Sequence, residues 1–276
     1  MRYQLIKYFY NLYWKVIGSS WLIASKSKHS SNNEINFTIS IVTYLDRFDL
    51  FFKPLIKHLK FCFPNTEIIV VINGYYDLKK QKRYLVAVKQ FLSNFDYVKV
   101  IDFEQPQSLS KLWNLAIIAA INEKVLIMND DLKIVPWFNK DLMKSNILSE
   151  EIALINRSWS HFIISKKIFK EIGYFDERFP GVGNEDEDYE CRLVLKGILI
   201  KTFKIKSLKN IVYKTKNFSY GEKVITINEK YVKANKIFFD SKWQTSTTVQ
   251  DGFNYVEILN LYVKLKTGME TPNFYK

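Results

Sequence analysis

Residues 37–42 have the sequence FTISIV, a short run of apolar and β-branched residues that predicts a buried β-strand. Three similar runs follow it along the chain, at residues 67–72 (EIIVVI), 97–102 (YVKVID) and 124–128 (KVLIM). Apolar residues recur at helical spacing between these runs, over residues 48–63, 78–95 and 108–122. Strands that alternate with helices predict an α/β fold with a parallel sheet that is covered by helices on both faces.

The composition of the chain excludes several classes of protein. The 276 residues are 47% hydrophobic and 25% charged, which is typical of a globular protein and not of a disordered one. The two cysteines, Cys62 and Cys191, are too few for a disulfide scaffold or a four-cysteine zinc site, and they fit a reduced cytosol. The length predicts one large domain or two small ones.

The net charge of +13 depends on lysine, because only six of the 41 basic residues are arginines. Arginine usually makes the bidentate contacts with bases and phosphates, so nucleic acid is not an expected partner. A lysine excess favours diffuse attraction to an anionic surface such as a membrane. A general bias of the composition toward lysine is an equally good explanation of the charge.

Residues 1–36 form a separate N-terminal part in our prediction. Residues 1–24 are rich in aromatic side chains, and Lys7, Asn11 and Lys15 recur every four residues, which predicts a helix with one polar stripe. Such a helix would lie on an anionic membrane, or it would pack against the protein or a second copy of the chain. No run reaches the ~18 apolar residues of a membrane-spanning helix. The polar stretch SKSKHSSNNEIN that follows predicts a linker.

Residues 201–276 form a basic C-terminal part, after a catalytic domain that we assign to residues 37–200. We predict two helices in the C-terminal part, at residues 225–243 and 255–266. Lysines recur at three-residue spacing in the first of these helices. Such a basic helix could contact anionic lipid or an anionic glycan, although an ordinary solvated helix face explains the pattern slightly better.

Polar side chains follow the predicted strands, at the place where ligands bind in parallel α/β sheets. The residues that directly follow the first, second and fourth strands are Thr43 and Tyr44, Asn73, and Asn129 to Asp131. The first turn has no glycine fingerprint, and the chain has no G-x-x-x-x-G-K-[ST] motif. These absences exclude a Rossmann dinucleotide site and a P-loop, so side chains and a metal would have to hold the phosphates of any nucleotide.

Two acidic clusters are candidates for chemistry. Asp130 and Asp131 are adjacent carboxylates at the end of a buried strand, which suits Mg²⁺ or Mn²⁺ but also suits an Asx turn. The second cluster places eight of the 28 acidic residues between positions 171 and 190, around a Gly-x-Gly turn and a predicted helix at 185–196. Asn184 is predicted to cap that helix in a capping box with Glu187.

Residues 37–197 resemble a family-2 glycosyltransferase of the GT-A fold. The segments that carry the resemblance are TISIVTYLDR, EIIVVING, SLSKLWNLAI, KVLIMNDDL and EIGYFDERFPGVGNEDEDYECRL, in that order. The last segment is the most specific, because the family ends its domain with G-[YF]-F-D-E-x-F, then E-D-x-D and an arginine four residues later. The resemblance implies a GT-A type, mostly parallel sheet with helices on both faces, to which this chain adds its helical N-terminal and C-terminal parts.

The resemblance also implies roles for individual residues. Asp186 matches the general base of inverting members, and Glu185 matches its acceptor-binding neighbour. Asn129 to Asp131 replaces the DxD motif, so Asp131 would bind Mn²⁺ or Mg²⁺. The residues expected to contact the donor nucleotide-sugar are Thr43, Tyr44, Asn73, Lys111, Asn114 and Asp130.

The expected function is inverting, metal-assisted transfer from a nucleotide-diphosphate sugar, with a UDP-sugar favoured, to a hydroxyl of a glycan or a lipid-linked acceptor. The implied setting is bacterial polysaccharide biosynthesis in the cytoplasm, with peripheral attachment to the inner face of the membrane, and a homo-oligomer is allowed. One alternative is a nucleotidyltransferase with a related α/β core. Another is a non-catalytic basic module that binds membrane or nucleic acid, which explains the paired carboxylates poorly.

Overall fold

The structure is a computed structural model, and it describes residues 36–210, 222–245 and 263–275. The predicted N-terminal helix and nearly all of the polar linker lie outside the described residues. Eleven strands occur in the described part of the chain. In chain order they are β1 (Phe37–Thr43), β2 (Ile68–Ile72), β3 (Val98–Asp102), β4 (Lys124–Asn129), β5 (Leu132–Ile134), β6 (Ile152–Ile155), β7 (Ser158–Ser165), β8 (Lys201–Phe203), β9 (Leu208–Asn210), β10 (Trp243–Thr245) and β11 (Val263–Leu265).

Seven α-helices occur in the same part of the chain. They are α1 (Lys53–Cys62), α2 (Leu78–Leu92), α3 (Leu109–Ala119), α4 (Phe138–Lys144), α5 (Lys166–Ile172), α6 (Glu185–Leu195) and α7 (Glu222–Lys242). A 3₁₀ turn and a π turn precede α1, so the regular helix begins at Lys53 and not at the predicted residue 48. The other helices predicted between strands, and the helix after the Gly-x-Gly turn, are confirmed with shorter ends.

The seven-stranded central sheet has the order β3-β2-β1-β4-β7-β6-β8. Strands β1 to β4 are parallel to one another, and β7 is antiparallel to both of its neighbours, so the sheet is mostly parallel as predicted. The register pairs Thr43 with Ile72, and Val42 with Asn129. The carboxyl ends of β1, β2 and β4 therefore meet at one edge of the sheet, where ligands bind in such folds.

Both faces of the sheet are buried, which is why its strands are continuous apolar runs. Alternate residues of β2 enter different clusters: Ile68, Val70 and Ile72 pack on one face, and Ile69 and Val71 pack on the other. Helices α1, α2 and α4 cover the first face, and helices α3, α5 and α6 cover the second. This confirms the predicted α/β architecture.

The C-terminal part differs from the prediction in one place. The described end of the predicted helix at 255–266 is strand β11, which pairs antiparallel with β10. Val263 packs in a cluster with Phe179, Cys191 and Trp243, so burial against the catalytic part of the chain outweighs the local helical spacing. The other predicted C-terminal helix is confirmed as α7.

Buried ion pairs attach α7 to the core. Lys242 is fully buried, and its Nζ atom lies 2.7 Å from Asp176 and 2.6 Å from Asp188. Trp243 donates a hydrogen bond to Asp188 over 2.8 Å, and Arg192, one helical turn later, pairs with the same carboxylate. Buried carboxylates that each have a cationic partner avoid the large cost of an unpaired buried charge.

Candidate active site

A cleft of about 730 Å³ lies at the carboxyl ends of β1, β2 and β4. Four of the predicted donor-binding residues line it, namely Tyr44, Asn73, Lys111 and Asp130. Its other walls come from the loop after β3, from Glu177, from Gly181 and Val182 before α6, and from Tyr231 of α7. The cleft therefore combines the sheet edge with the glycine turn that the sequence analysis singled out.

Arg47 forms ion pairs with both carboxylates that follow β4. Its Nη1 atom lies 2.7 Å from Asp130 and 3.1 Å from Asp131, and its guanidinium lies 4.7 Å from the centre of the Tyr44 ring. Thr43 donates a hydrogen bond of 2.8 Å to the second oxygen of Asp130. Burial raises the pKa of Asp130 to about 6, against the opposing effect of Arg47.

Sequence reasoning gave Arg47 no role, although it stands four residues after β1. The need of the two carboxylates for a cationic partner could have predicted the role of Arg47. Two adjacent carboxylates at a buried strand end need a cation, and Arg47 follows a neighbouring strand of the same sheet edge.

Asp131 is the carboxylate that could take part in binding a metal ion. Its side chain is 25% exposed, whereas Asp130 is 1% exposed and uses both oxygens for Thr43 and Arg47. No group of three His, Cys, Asp or Glu side chains among the described residues could hold a metal by itself. Mg²⁺ and Mn²⁺ are often held by one or two carboxylates together with substrate phosphates, and Asp131 fits that kind of site.

Asn73 lines the cleft, but its amide is already bonded. Its Oδ1 atom accepts hydrogen bonds of 2.8 Å from the backbone N–H groups of Gly74 and Gln107, and its Nδ2 atom donates to the Gln107 carbonyl over 3.2 Å. A Cβ atom on Gly74 would lie 2.1 Å from the Gln105 carbonyl group, so only glycine allows this close approach. Asn73 and Gly74 thus hold the loop between β3 and α3 as one wall of the cleft.

Helix α3 begins at Ser108, whose hydroxyl accepts a hydrogen bond from the Lys111 N–H over 3.2 Å. Lys111 lines the cleft, and its Nζ atom donates to Gln107 over 2.9 Å. Asn114 is fully buried and binds both backbone groups of Phe175 and the Glu177 carboxylate, each over 2.9 Å. The structure therefore places Asn114 behind the cleft, and it places Glu177, to which sequence reasoning gave no role, at the surface of the cleft.

The two predicted catalytic carboxylates lie in the first turn of α6, as expected. Glu185 is buried and accepts a hydrogen bond of 2.5 Å from the Gly183 N–H. Burial, then repulsion from Asp186, raises the pKa of Glu185 to about 8. Asp186 accepts a bond of 3.0 Å from the Glu187 N–H, and burial followed by repulsion from Glu187 raises its pKa to about 6.

The start of α6 is not the predicted capping box. Asn184 has a φ of 65° in the left-handed region, and its side chain makes no capping hydrogen bond. It donates instead to the Glu187 carboxylate. The Asn184 side chain is therefore used within the turn, and the carboxylates of the first turn complement the helix dipole in its place.

The glycine turn is also fixed from outside. Asn235 of α7 donates through Nδ2 to the carbonyls of Pro180, Val182 and Gly183, over 3.0, 3.2 and 2.8 Å. Glu185, Asp186 and Asp131 do not line the cleft in the described part of the chain, but the turn that α7 holds connects the cleft wall to α6. The C-terminal part, predicted as an appendage, thus shapes the site.

Residues 105–225 match a protein family described as "Glycosyltransferase like family 2". No curated protein has a sequence that matches this chain. Among solved structures, residues 1–349 of TarS from S. aureus are 18% identical with a TM-score of 0.47, over 62% of this chain and 58% of TarS. The chain thus spans less than two thirds of that protein's length.

Two further solved structures are similar. The mannosyltransferase PcManGT from Pyrobaculum calidifontis, in complex with GDP-Man and Mn²⁺, is 10% identical with a TM-score of 0.50, over 74% of this chain and 65% of that one. The glucosyl-3-phosphoglycerate synthase from Mycobacterium tuberculosis, with Mn²⁺, UDP and phosphoglyceric acid, is 10% identical with a TM-score of 0.51, over 84% and 86%. At these identities the likeness shows the fold. The family match covers residues 105–225, and this part of the chain is similar to family-2-like glycosyltransferases, on a fold of the GT-A type.

Proposed function

We propose that the chain is an inverting glycosyltransferase that moves a sugar from a nucleotide-diphosphate sugar, with a UDP-sugar favoured, to a hydroxyl of a glycan or a lipid-linked acceptor. The observation that carries the proposal is the division of acidic groups between the end of β4, which borders the cleft, and the start of α6, which follows the glycine turn of the cleft wall. Asp130 and Asp131 directly follow β4, and Glu185 and Asp186 begin α6 just after the glycine turn, part of which lines the cleft. Such transfer needs a place for the diphosphate and a separate base.

The diphosphate would lie near the basic side chains of the cleft, Arg47 and Lys111. Asp131 would hold a divalent ion, Mn²⁺ or Mg²⁺, jointly with the diphosphate. When bound, such an ion supplies positive charge that stabilises the leaving diphosphate. Asp130, held by Thr43 and Arg47, would orient the ribose or the donor sugar. Tyr44 and Asn73 would shape the nucleoside side of the cleft, and Asn114 would support the donor-facing wall from behind, through Glu177.

Asp186 would take the proton of the acceptor hydroxyl while that oxygen attacks the anomeric carbon. The new C–O bond forms as the bond to the diphosphate breaks, so one displacement inverts the anomeric centre and releases a nucleoside diphosphate. Near neutral pH, Asp186 is charged because its pKa is raised only to about 6. Glu185, whose pKa is raised to about 8, stays protonated and can donate a hydrogen bond to the acceptor.

The test is the reaction of wild type and Asp186→Asn with a panel of nucleotide-sugars. Asp186→Asn keeps the shape of the side chain and removes the base, so transfer should fall by roughly two to four orders of magnitude with donor affinity nearly unchanged. The rate should rise with pH up to about 6, where Asp186 becomes charged, and fall above about 8, where Glu185 loses its proton.

The matched control is Glu187→Gln, in the same helical turn, which alters the contact with Asn184 and removes a charge that raises the pKa of Asp186, but keeps the Asp186 carboxylate itself. It should lower stability and leave transfer close to wild type. Retained transfer in Asp186→Asn would show that the base is another residue. Release of pyrophosphate instead of nucleoside diphosphate would show nucleotidyl transfer and overturn the proposal.

We also propose that the enzyme works in the cytoplasm and attaches to the anionic inner face of the membrane. None of the described helices is both long enough and apolar enough to cross a bilayer. The support for attachment is the net charge of +13 and the exposed side chains of α2, which include Lys79, Lys80, Lys82 and Arg83. The low arginine content favours lipid over nucleic acid as the anionic partner. We also keep the proposal that the chain forms a homo-oligomer.

A further inference from the structure

A C-terminal segment, residues 269–275, lies along the element at residues 174–178 that ends in the wall of the cleft. Arg178 donates to the backbone carbonyls of Met269 and Glu270, over 3.3 and 2.9 Å. The Tyr275 ring packs against the Tyr174 ring with 5.0 Å between centroids, and the Tyr275 hydroxyl donates to Glu177. The segment therefore supports the one residue of this element that faces the cleft among those described.

Glu177 is held through only one of its two oxygens. Its Oε1 atom accepts from the buried Asn114 amide over 2.9 Å and from the Tyr275 hydroxyl. Its Oε2 atom has no hydrogen-bond partner in the described part of the chain, and the side chain lines the cleft. Burial and the adjacent carboxylate raise the pKa of Tyr275, so its hydroxyl keeps its proton and stays a donor.

The chemistry of the cleft limits what this carboxylate can bind. A diphosphate would be repelled by it, and Arg47 and Lys111 already offer charges of the opposite sign. Glu177 is not part of any metal-binding group of three side chains among the described residues. A neutral group with several O–H donors suits a carboxylate oxygen, since hydrogen bonds to a charged acceptor are stronger than those between neutral groups.

We propose that Glu177 is a specificity-determining residue that binds a hydroxyl of the donor sugar through Oε2, and that Tyr275 is a positioning residue for Glu177. The inference rests on the proposed function, because it requires a nucleotide-sugar in the cleft. Two fixed donors on Oε1 restrict the rotation of the carboxylate and keep Oε2 in one direction. The Oε2 atom would then accept a hydrogen bond from the sugar and make no contact with the nucleotide.

The experiment compares the affinity of each sugar nucleotide with that of its own nucleoside diphosphate. The probes are UDP-glucose, UDP-N-acetylglucosamine and GDP-mannose against UDP or GDP, measured by calorimetry with Mn²⁺. Glu177→Gln should weaken binding of the preferred sugar nucleotide by about 10-fold, the usual effect of losing a hydrogen bond to a charged group, and leave binding of the nucleoside diphosphate unchanged. An equal affinity of wild type and Glu177→Gln for every probe would overturn the inference.

Tyr275→Phe removes one of the two donors on Oε1 and should raise the KM for the donor about threefold with little change in kcat, because it acts on the sugar contact alone. The matched control is Thr271→Val, in the same segment, which removes a contact with Lys242 and Asp176 but none with Glu177. It should lower stability without a change in KM. An unchanged KM in Tyr275→Phe, or an equal change in Thr271→Val, would overturn the positioning role.

Failure of the inference is distinguishable from failure of the proposed function. If wild type binds UDP or GDP as tightly as the corresponding sugar nucleotides, the sugar contact is absent. The inference is then wrong, while the proposed nucleotide site is supported. If wild type binds none of the probes, with or without Mn²⁺, the proposed function is wrong and the inference falls with it.

Discussion

Arg47 neutralises two carboxylates at once, and its position explains how an acidic strand end is tolerated in this fold. Removing the guanidinium would leave Asp130 fully buried with only a hydroxyl partner, Thr43. Losing one partner of a buried charge pair usually costs about 3–5 kcal/mol. Asp131 is in a different situation, because its side chain is 25% exposed and its carboxylate is in contact with water as well as with Arg47.

Replacement of Asp131 therefore separates metal binding from folding. Asp131→Ala should abolish the gain in donor affinity that Mn²⁺ gives, and it should lower the free energy of unfolding by no more than about 1 kcal/mol, because Asp131 is partly exposed and Arg47 keeps its pair with Asp130. Calorimetry with UDP, in Mn²⁺ and in EDTA, measures the first effect and urea unfolding the second.

Asp96→Ala is the control for this experiment, since Asp96 is an exposed carboxylate before the amino end of β3. Its donor affinity should respond to Mn²⁺ as in wild type. If wild type binds the donor equally well in EDTA, the metal has no part in binding and the assignment of Asp131 is wrong.

Among the elements, α2 has one side that is buried against the sheet and one side that is exposed and basic. Its buried side packs on the sheet through Tyr84, Val88 and Leu92, while its opposite side exposes basic residues and Val86, which is 67% exposed. The helix is capped by Asp77, which directly follows Tyr75 and Tyr76 of the cleft. Attachment of this side to a membrane would bring the cleft close to a lipid-linked acceptor.

Charge reversal on α2 tests this attachment. Lys79→Glu with Lys82→Glu should weaken cosedimentation with vesicles that contain phosphatidylglycerol by about 10-fold or more, since each basic residue near such a surface contributes about 1 kcal/mol. The matched control is Lys140→Glu with Lys144→Glu on α4, which changes the net charge equally. An equal loss of cosedimentation in both double variants would show that the total charge and not α2 drives membrane binding. No loss in either variant would show that α2 does not bind the membrane.

At the scale of the whole molecule, the buried pairs of Lys242 join α7 to the α/β core. The two acids that it contacts belong to different elements, because Asp176 precedes Glu177 in the cleft wall and Asp188 lies in α6. Each acid also has an arginine partner, Arg178 or Arg192. A network of this kind makes the two parts unfold together.

Lys242→Met keeps the length of the side chain and leaves two buried carboxylates with one cation fewer each. The free energy of unfolding should fall by about 3–5 kcal/mol, as for other broken buried pairs. Urea unfolding followed by far-UV circular dichroism measures the change. Lys236→Met is the control, because Lys236 is exposed on the same helix and should change stability by less than about 1 kcal/mol. Similar effects of the two substitutions would contradict the role of the network.

The sequence was sufficient for features that depend on local pattern and insufficient for those that depend on distant partners. The first four strands and α2, α3 and α6 were predicted because apolar spacing is read within each segment. The left-handed Asn184 and strand β11 were not predicted, since one depends on the turn held by Asn235 and the other on burial against Trp243. Tyr44, Asn73, Lys111 and Asp130 line the cleft, but their functional roles stay predictions.

The contact between Tyr275 and Glu177 joins positions 98 residues apart, and this separation affects how the protein folds. Closing a long loop costs chain entropy before the contact can compensate for it, so such contacts form late. Strands β1 and β2 pair over 29 residues (Ile39 with Ile68), and β2 and β3 pair over 30 (Ile68 with Val98), so this part of the sheet needs much shorter loops to assemble. In refolding, strands β1 to β3 would therefore pair before the contact between Tyr275 and Glu177 forms, and the last residues of the chain would complete the wall of the cleft at the end.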